Sequence, residues 1–273
     1  MTLPNLFDVL IIGGGYSGAA LAIRLSQETK RPLTVGVIEP RESIGRGVAY
    51  TTAHSDLRLN GPDSVHIVLP NQPDDFPKWL RREGILETDL DGWADSGVFF
   101  ARRSDFGRYM VELFQSCQTE NRTDTDLHHI RARAISFDVG PDHATITLNN
   151  GRQLITRLAV LATSNEKSEI PKPFTDSMFR HTDFLPDPWD LGRLESLARD
   201  TPILVLGTGL TAADVITVLT AQGHIGPVDA VSRRGLLPMD QNPMPDPESM
   251  WQRFSYSPSR FVKKHGMINK VSE

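Results

Sequence analysis

Cysteine is almost absent from the 273-residue chain, which contains Cys117 and no other. One thiol cannot form an intrachain disulfide, a zinc knuckle or a CxxC redox pair, so a disulfide reductase is excluded. Cys117 lies in the segment "DFGRYMVELFQSCQ", which has helical periodicity. We therefore expect it to be a buried structural residue.

Long apolar runs and long basic runs are missing as well. No stretch reaches the roughly 20 apolar residues of a membrane span, and the N-terminus lacks the features of a signal peptide. The formal net charge is −5 with both signs mixed along the chain, which disfavours nucleic acid and membranes as partners. The clusters Arg102-Arg103 and Lys263-Lys264-His265 are interpreted as solvated surface charge. A cytoplasmic protein is expected.

No spacing of residues in the sequence indicates a metal site or a catalytic acid–base pair. His128 and His129 have no matching ligand set and precede a predicted strand, so they are interpreted as surface residues. Asp74 and Asp75 are interpreted as a solvated loop pair or a helix cap. The sequence thus predicts no metal site and identifies no catalytic residue.

The chain alternates strand and helix signals in a way that predicts two βαβ units. The first has a strand near residues 7–12, a helix to about Glu28 and a strand ending at Glu39. The second begins with "ILVL" at Ile203 and ends in "VDAVS". A helix with Ser104 as its expected N-cap lies between them. It is followed by three β segments, "IRARAISFDV", "HATITLNN" and "RQLITRLAVLAT".

These patterns predict an α/β protein: a Rossmann-like domain with a small β-meander, plus a second, incomplete Rossmann-type nucleotide-binding unit. The expected division is residues 1–167 for the first, Rossmann-like domain and 168–201 for a proline-rich linker. Residues 202–236 are expected to form the partial second βαβ unit, and 237–273 a proline-rich tail.

The first unit carries Gly13-x-Gly15-x-x-Gly18 directly after its strand. The first glycine permits a tight turn, the second lets the backbone approach a pyrophosphate, and the third lets the helix pack against the sheet. The helix N-terminus favours the bound anion. Glu39 closes the next strand about 20 residues later, where a carboxylate accepts hydrogen bonds from a ribose diol. We interpret this as a site for an adenine dinucleotide without a 2′-phosphate.

The second unit carries Gly207-x-Gly209-x-x-Ala212, and Thr211 is assigned to the same turn. In the first unit, Gly13 and Glu39 are about 26 residues apart. The same separation from Gly207 leads to Arg233, which Arg234 follows. A guanidinium pair binds a 2′-phosphate that a carboxylate would repel. This site is therefore predicted to favour NADP over NAD. Two dinucleotide sites suggest a relay in which NADPH reduces a bound flavin.

Eight segments together resemble the two-dinucleotide-binding flavoproteins, and most closely the bacterial FAD/NAD(P)-binding proteins described as NAD(FAD)-dependent dehydrogenases. They are "IIGGGYSGAALAIRL", "VIEPRESIGRGVAY", "LRLNGP", "RRSDFGRYM", "LAVLATSN", "DPWD", "VLGTGLTAADV" and "SRRGLLP", in the order of that family. The resemblance implies FAD on the first site, so residues 1–167 would be an FAD-binding domain and residues 202–236 a partial NAD(P)-binding unit. The residues that it adds to the site are Gly14, Tyr16 and Ser17 through their backbone, Arg41, Arg46 and Asn60.

The chain departs from the resemblance at three places. Ser164 stands where such proteins usually have the glycine of Ala-Thr-Gly, and no histidine follows "SRRGLLP" near Gln241. Relatives also continue well beyond this point, so the chain is expected to be an N-terminal portion, a truncated product or a short form.

The leading hypothesis is an FAD-dependent oxidoreductase that takes hydride from NAD(P)H for an unknown small-molecule substrate or electron acceptor. "PFTDSMFRHTDF" does not match the Phe-x-Gly-x-x-x-His of Baeyer–Villiger and flavin-containing monooxygenases. The arrangement of the two dinucleotide-binding motifs is also compatible with an N-hydroxylating monooxygenase. A non-catalytic nucleotide-binding module or fragment is the other alternative, and a homodimer is left open.

Overall fold

The computed structural model of the protein describes Pro4, residues 6–164, Lys172 and residues 174–237. The strands are β1 (Leu6–Ile12), β2 (Thr34–Ile38), β3 (Asp126–Ile130), β4 (Ala134–Val139), β5 (Ala144–Leu148), β6 (Gln153–Leu161), β7 (Ile203–Leu206) and β8 (Val228–Val231). The α-helices are α1 (Tyr16–Glu28), α2 (Asp75–Arg82), α3 (Ile85–Thr88), α4 (Arg103–Thr119), α5 (Asp176–Phe179), α6 (Leu191–Glu195) and α7 (Leu210–Ala221). Short 3₁₀ turns occupy Asp63–Val65 and Leu90–Gly92.

A six-stranded mixed sheet in the order β3-β2-β1-β6-β5-β4 forms the centre of the first domain. β1 pairs in parallel with β2 and β6, and β2 pairs in parallel with β3. β4, β5 and β6 pair antiparallel as the predicted meander. The nearly continuous apolar run "LFDVLII" of β1 fits a central strand that is buried on both faces.

Two apolar layers cover the two faces of this sheet. On one face, α1 and α4 pack against Val9 and Ile11 through residues such as Ala22 and Met110. The meander covers the other face, where Ile146, Leu148 and Leu154 pack with Phe7 and Leu10. The buried residues of α4 follow helical spacing. Cys117 is among them and is buried, as predicted.

Two predictions about local structure are wrong. The sequence suggests three β segments after α4, but four strands are present, because "DLHHI" forms β3 against the edge of β2. His128 and His129 therefore lie on a strand and are only partly exposed. The helix expected to be capped by Ser104 begins at Arg103, and its N-cap is Arg102.

The second βαβ unit is a separate two-stranded parallel sheet, β7–β8, with α7 as its crossover helix. A small apolar cluster joins α7 to α6 and to the first domain through Leu57, Leu194, Val218 and Leu219. Within the described ranges no helix is long and apolar enough to cross a bilayer. The predicted boundary at 167–168, the tail from Pro238 with Gln241, and the cluster Lys263-Lys264-His265 lie outside the described residues.

Candidate functional site

The first glycine turn joins β1 to α1 in the close packing that its spacing predicts. Gly13 has a φ of +110°, and its N–H donates to the carbonyl of Ile38 at 3.0 Å. A Cβ atom on Gly13 would lie 2.3 Å from the carbonyl oxygen of Ala162. One on Gly18 would lie 1.9 Å from the carbonyl oxygen of Gly13. No other residue type fits at either position without a shift of the backbone.

The N-terminus of α1 has the properties of an anion site. Gly15 is the N-cap, no side chain caps the helix, and its first turn carries no acidic residue. The helix dipole and the N–H groups of the first turn favour a phosphate there. Tyr16 and Ser17, whose backbone the resemblance assigns to the pyrophosphate, are the first two residues of this helix. The turn therefore fits the diphosphate of a dinucleotide.

Glu39 lies directly after β2 and is only 4% exposed. Its Oε2 accepts the N–H of Gly14 at 2.9 Å, and its Oε1 accepts the N–H of Arg41 at 3.0 Å. Its carbonyl accepts Nε2 of His129 at 3.0 Å. A carboxylate has about four acceptor positions, so these contacts orient the acid and leave capacity for a ribose hydroxyl.

The remaining residues predicted for the first site lie on two other segments. The N–H of Gly45 donates to the carbonyl of Gly14 at 2.8 Å, which brings the loop with Arg46 onto the glycine turn. Arg41 is half exposed and its Nη1 lies 3.4 Å from Oε1 of Glu39. Asn60 lies on another segment, and its Oδ1 accepts Nη2 of Arg103 at 3.1 Å.

An aromatic cluster lies behind the first turn. The ring of Tyr16 lies 5.7 Å from that of Phe106 and 6.2 Å from that of Tyr50. Burial raises the pKa of the Tyr16 and Tyr50 phenols, so both remain neutral at physiological pH. The cluster connects the start of α1 with α4, which carries Phe106.

The second glycine turn repeats the geometry of the first in a more open setting. Gly207 has a φ of +113°, and its N–H donates to the carbonyl of Val231 at 2.8 Å. Gly209 is the N-cap of α7, again without a side-chain cap or an acid in the first turn. Among the described residues, a Cβ atom on either glycine would meet nothing within 4 Å. Thr211 is exposed on the first turn of α7.

The strand pairing corrects the predicted equivalence of Arg233 with Glu39. Gly13 bonds to the carbonyl of Ile38 and Gly207 to that of Val231, so the residue in the place of Glu39 is Ser232. The bonded residues are 25 positions apart in the first unit and 24 in the second, so the strand of the second unit ends one residue earlier. Arg233 and Arg234 follow directly and are exposed. A count along the sequence misses Ser232; only the strand register finds it.

The interpretation of Arg102-Arg103 as solvated charge is wrong for Arg103, which is buried. Its guanidinium makes a bidentate ion pair with Asp214 of α7, with N–O distances of 2.7 and 2.9 Å. His128 and His129, interpreted from the sequence as surface residues, are partly buried on β3. The ring of His128 packs edge-on against Phe7 at 5.7 Å. Among the described residues, no group of three or more potential ligands could hold a metal ion.

Two βαβ turns of this geometry in one chain define a dinucleotide-binding α/β protein. The model of the FAD-NAD(P)-binding family matches residues 10–166, and the chain belongs to this family. This confirms the predicted family. No curated protein matches the sequence.

Solved flavoenzymes share the fold at low sequence identity. The chain is similar to a mutant of a flavin monooxygenase from Stenotrophomonas maltophilia, with a TM-score of 0.53, 14% identity and coverage of 98% of this chain and 70% of that chain. It is also similar to the ornithine N-hydroxylase of Kutzneria sp. 744, with a TM-score of 0.59, 17% identity and coverage of 95% and 63%. A third similar structure is the cadaverine monooxygenase of Erwinia amylovora, with a TM-score of 0.59, 16% identity and coverage of 83% of this chain and 51% of that chain. The chain thus spans about half to 70% of these proteins, and the predicted Rossmann-like fold is confirmed.

Proposed function

We propose that the protein is an FAD-dependent oxidoreductase that takes hydride from NAD(P)H, with NADPH preferred, and passes the electrons to a small-molecule acceptor. The proposal rests on one observation: the two glycine turns have different residues at the end of the strand beside them. The first turn lies beside the buried acid Glu39. The second lies beside Ser232 and two arginines.

The first site fits FAD. The N-terminus of α1 would hold the pyrophosphate through the backbone of Gly15, Tyr16 and Ser17, and Glu39 would accept the ribose hydroxyls. Gly14 would contribute by holding the Glu39 carboxylate, with Arg41, Arg46 and Asn60 around the same region. When bound, FAD supplies the ring that accepts hydride and returns the electrons to the acceptor.

The second site fits a 2′-phosphorylated nucleotide. Gly207, Gly209 and Thr211 would contact its diphosphate at the N-terminus of α7. Ser232 places a neutral hydroxyl where the first site has a carboxylate, so no negative charge opposes the 2′-phosphate. The exposed side chains of Arg233 and Arg234 would bind that phosphate with charge-assisted hydrogen bonds.

Steady-state oxidation of NADPH and NADH by the FAD-loaded protein, with ferricyanide as an artificial acceptor, tests the proposal. We expect turnover with both nucleotides and a higher kcat/KM for NADPH. Bound FAD without turnover of either nucleotide would identify a non-catalytic binding module and contradict the proposal.

An N-hydroxylating monooxygenase is the second candidate, because two of the solved proteins that share the fold are an ornithine N-hydroxylase and a cadaverine monooxygenase. NADPH-dependent formation of a hydroxylamine from ornithine or cadaverine under air would favour this second candidate. A small-molecule substrate and a cytoplasmic location belong to the proposal as sequence-based predictions, and a homodimer stays open.

A further inference from the structure

The buried guanidinium of Arg103, the first residue of α4, connects the first domain to the second βαβ unit. Its Nη1 and Nη2 bind the two carboxylate oxygens of Asp214 at 2.7 and 2.9 Å. Its Nε donates to the carbonyl of Arg58 at 2.8 Å, and Nη2 also donates to Oδ1 of Asn60 at 3.1 Å. Every one of its three nitrogens therefore has a partner, and these partners lie on two segments distant in sequence.

The second unit meets this guanidinium through α7. Asp214 lies on α7 five residues after Gly209, which is the N-cap of that helix at the second glycine turn. The ring of Trp189, in the segment between the two units, lies 5.6 Å from Cζ of Arg103. The exposed fractions of the Arg103 and Asp214 side chains are 7% and 17%. The pair is thus largely shielded from solvent.

The other end of the connection reaches the first glycine turn. α4 begins at Arg103 and carries Phe106, whose ring packs against Tyr16 at the start of α1. A chain of direct contacts therefore runs from the helix of the second turn to the helix of the first. Asn60, which the resemblance assigns to the FAD site, is bound by the same guanidinium.

A buried ion pair is a poor means of raising stability, because desolvation of both charges offsets most of the attraction between them. Its bidentate geometry, by contrast, fixes the relative orientation of the two groups. Hydride transfer requires such orientation, since a displacement of about 1 Å lowers a rate by about 100-fold.

We propose that Arg103 and Asp214 are positioning residues that hold the second βαβ unit against the Asn60 segment, so that a nicotinamide nucleotide bound at α7 is presented to the flavin site. The inference rests on the proposed function. The pair joins α4 to α7, so it acts through the orientation of α7.

Anaerobic reduction of the flavin in the FAD-loaded full chain, followed at several NADPH concentrations, tests this inference. It separates the limiting reduction rate from the Kd of NADPH. Asp214→Asn is nearly isosteric and removes the charge, and we expect the limiting rate to fall by about 10- to 100-fold while the Kd changes less than about threefold. If Asp214→Asn does not fold, Arg103→Lys takes its place with the same expected results. This variant keeps the positive charge but cannot form the bidentate pair.

Asp8→Asn is the matched control. Asp8 is a carboxylate on β1 with the same exposed fraction as Asp214, 17%, and its Oδ1 pairs with Nη1 of Arg157 at 3.1 Å within the first domain. We expect it to lower the melting temperature and to leave the limiting reduction rate within about twofold of wild type. An equal loss of rate in both variants, or an unchanged rate in Asp214→Asn, would overturn the inference.

Hydrogen exchange distinguishes failure of this inference from failure of the proposed function. If NADPH does not reduce the wild-type flavin, the proposed function fails, but NADP⁺ binding can still be followed by exchange. We expect NADP⁺ to protect both α7 and residues 57–60 in wild type, and α7 alone in Asp214→Asn. Equal protection of residues 57–60 in the two proteins would contradict the positioning role.

Discussion

The backbone N–H of Gly14 donates a hydrogen bond of 2.9 Å to Oε2 of Glu39, which lies 25 residues further along the chain. The bond joins the glycine turn to the end of β2, so the helix N-terminus and the acid are held in a fixed relationship by the protein itself. Since Glu39 is buried, the charge of its carboxylate acts at short range on both the turn and any ribose beside it.

Glu39→Gln is expected to weaken FAD binding by about 10- to 100-fold, because a hydrogen bond to a charged group is worth about 1.5–3 kcal/mol. The Kd is measured by titrating the FAD-free protein and following flavin fluorescence. Glu42→Gln, an exposed residue on the same loop, is the control and should leave the Kd unchanged. Equal affinities in wild type and Glu39→Gln would show that Glu39 does not bind the ribose.

Gly18→Ala should abolish retention of FAD, because the new methyl group would collide with the carbonyl of Gly13 and displace α1 from the turn. The flavin-to-protein absorbance ratio after purification measures this. Gly192→Ala makes the same chemical change on α6, where nothing in the described chain lies within 4 Å of the new Cβ. Full retention of FAD in Gly18→Ala would contradict the predicted role of the first turn.

The parts of this site that sequence predicts are those fixed by local chemistry. Gly13, Gly15 and Gly18 follow from the sterics of one turn, and Glu39 follows from the length of one βαβ unit. Arg103 and Ser232 could not be found in this way. Burial of Arg103 depends on Asp214, 111 residues away, and the place of Ser232 depends on the pairing of β7 with β8.

Ser232→Glu should reverse the nucleotide preference, because it places a carboxylate where the first unit has Glu39. The added carboxylate repels the 2′-phosphate of NADPH and can accept hydrogen bonds from the ribose diol of NADH. We therefore expect the NADPH-to-NADH ratio of kcat/KM to fall by about 100-fold. Ser232→Ala, which adds no charge, serves as the control and should keep most of the preference. A ratio that stays unchanged in Ser232→Glu would place the 2′-phosphate elsewhere.

Removal of the neighbouring positive charges should have a related but weaker effect. Arg233→Ala and Arg234→Ala are each expected to raise the KM for NADPH by about tenfold and to leave that for NADH nearly unchanged, since one charge-assisted hydrogen bond is lost. Comparison of the two KM values in each variant tests this. A parallel rise in both would indicate a role in general binding instead of phosphate selection.

His66 should make the stability of the protein depend on pH. Burial lowers the pKa of this imidazole, against the opposing effect of its 2.9 Å hydrogen bond to the carbonyl of Pro62. The unfolded chain takes up the proton near the ordinary pKa of about 6.5, whereas the folded protein resists it. The free energy of unfolding should therefore fall as the pH drops below that value, by at most about 1.4 kcal/mol per pH unit.

Urea unfolding of wild type and His66→Asn, from about pH 7.5 to about pH 5, measures this contribution. The asparagine amide can still donate to the Pro62 carbonyl but does not titrate, so the variant should lose part of the pH dependence. Identical pH profiles would contradict the assignment to His66.

The visible absorption spectrum of the purified protein, recorded after incubation with FAD and then during anaerobic addition of NADH or NADPH, tests whether the two sites work together. We expect a bound-flavin spectrum that both nucleotides bleach, with faster bleaching by NADPH. A protein that takes up no flavin would contradict it at the first site. A flavin that neither nucleotide reduces would contradict the relay between the two sites.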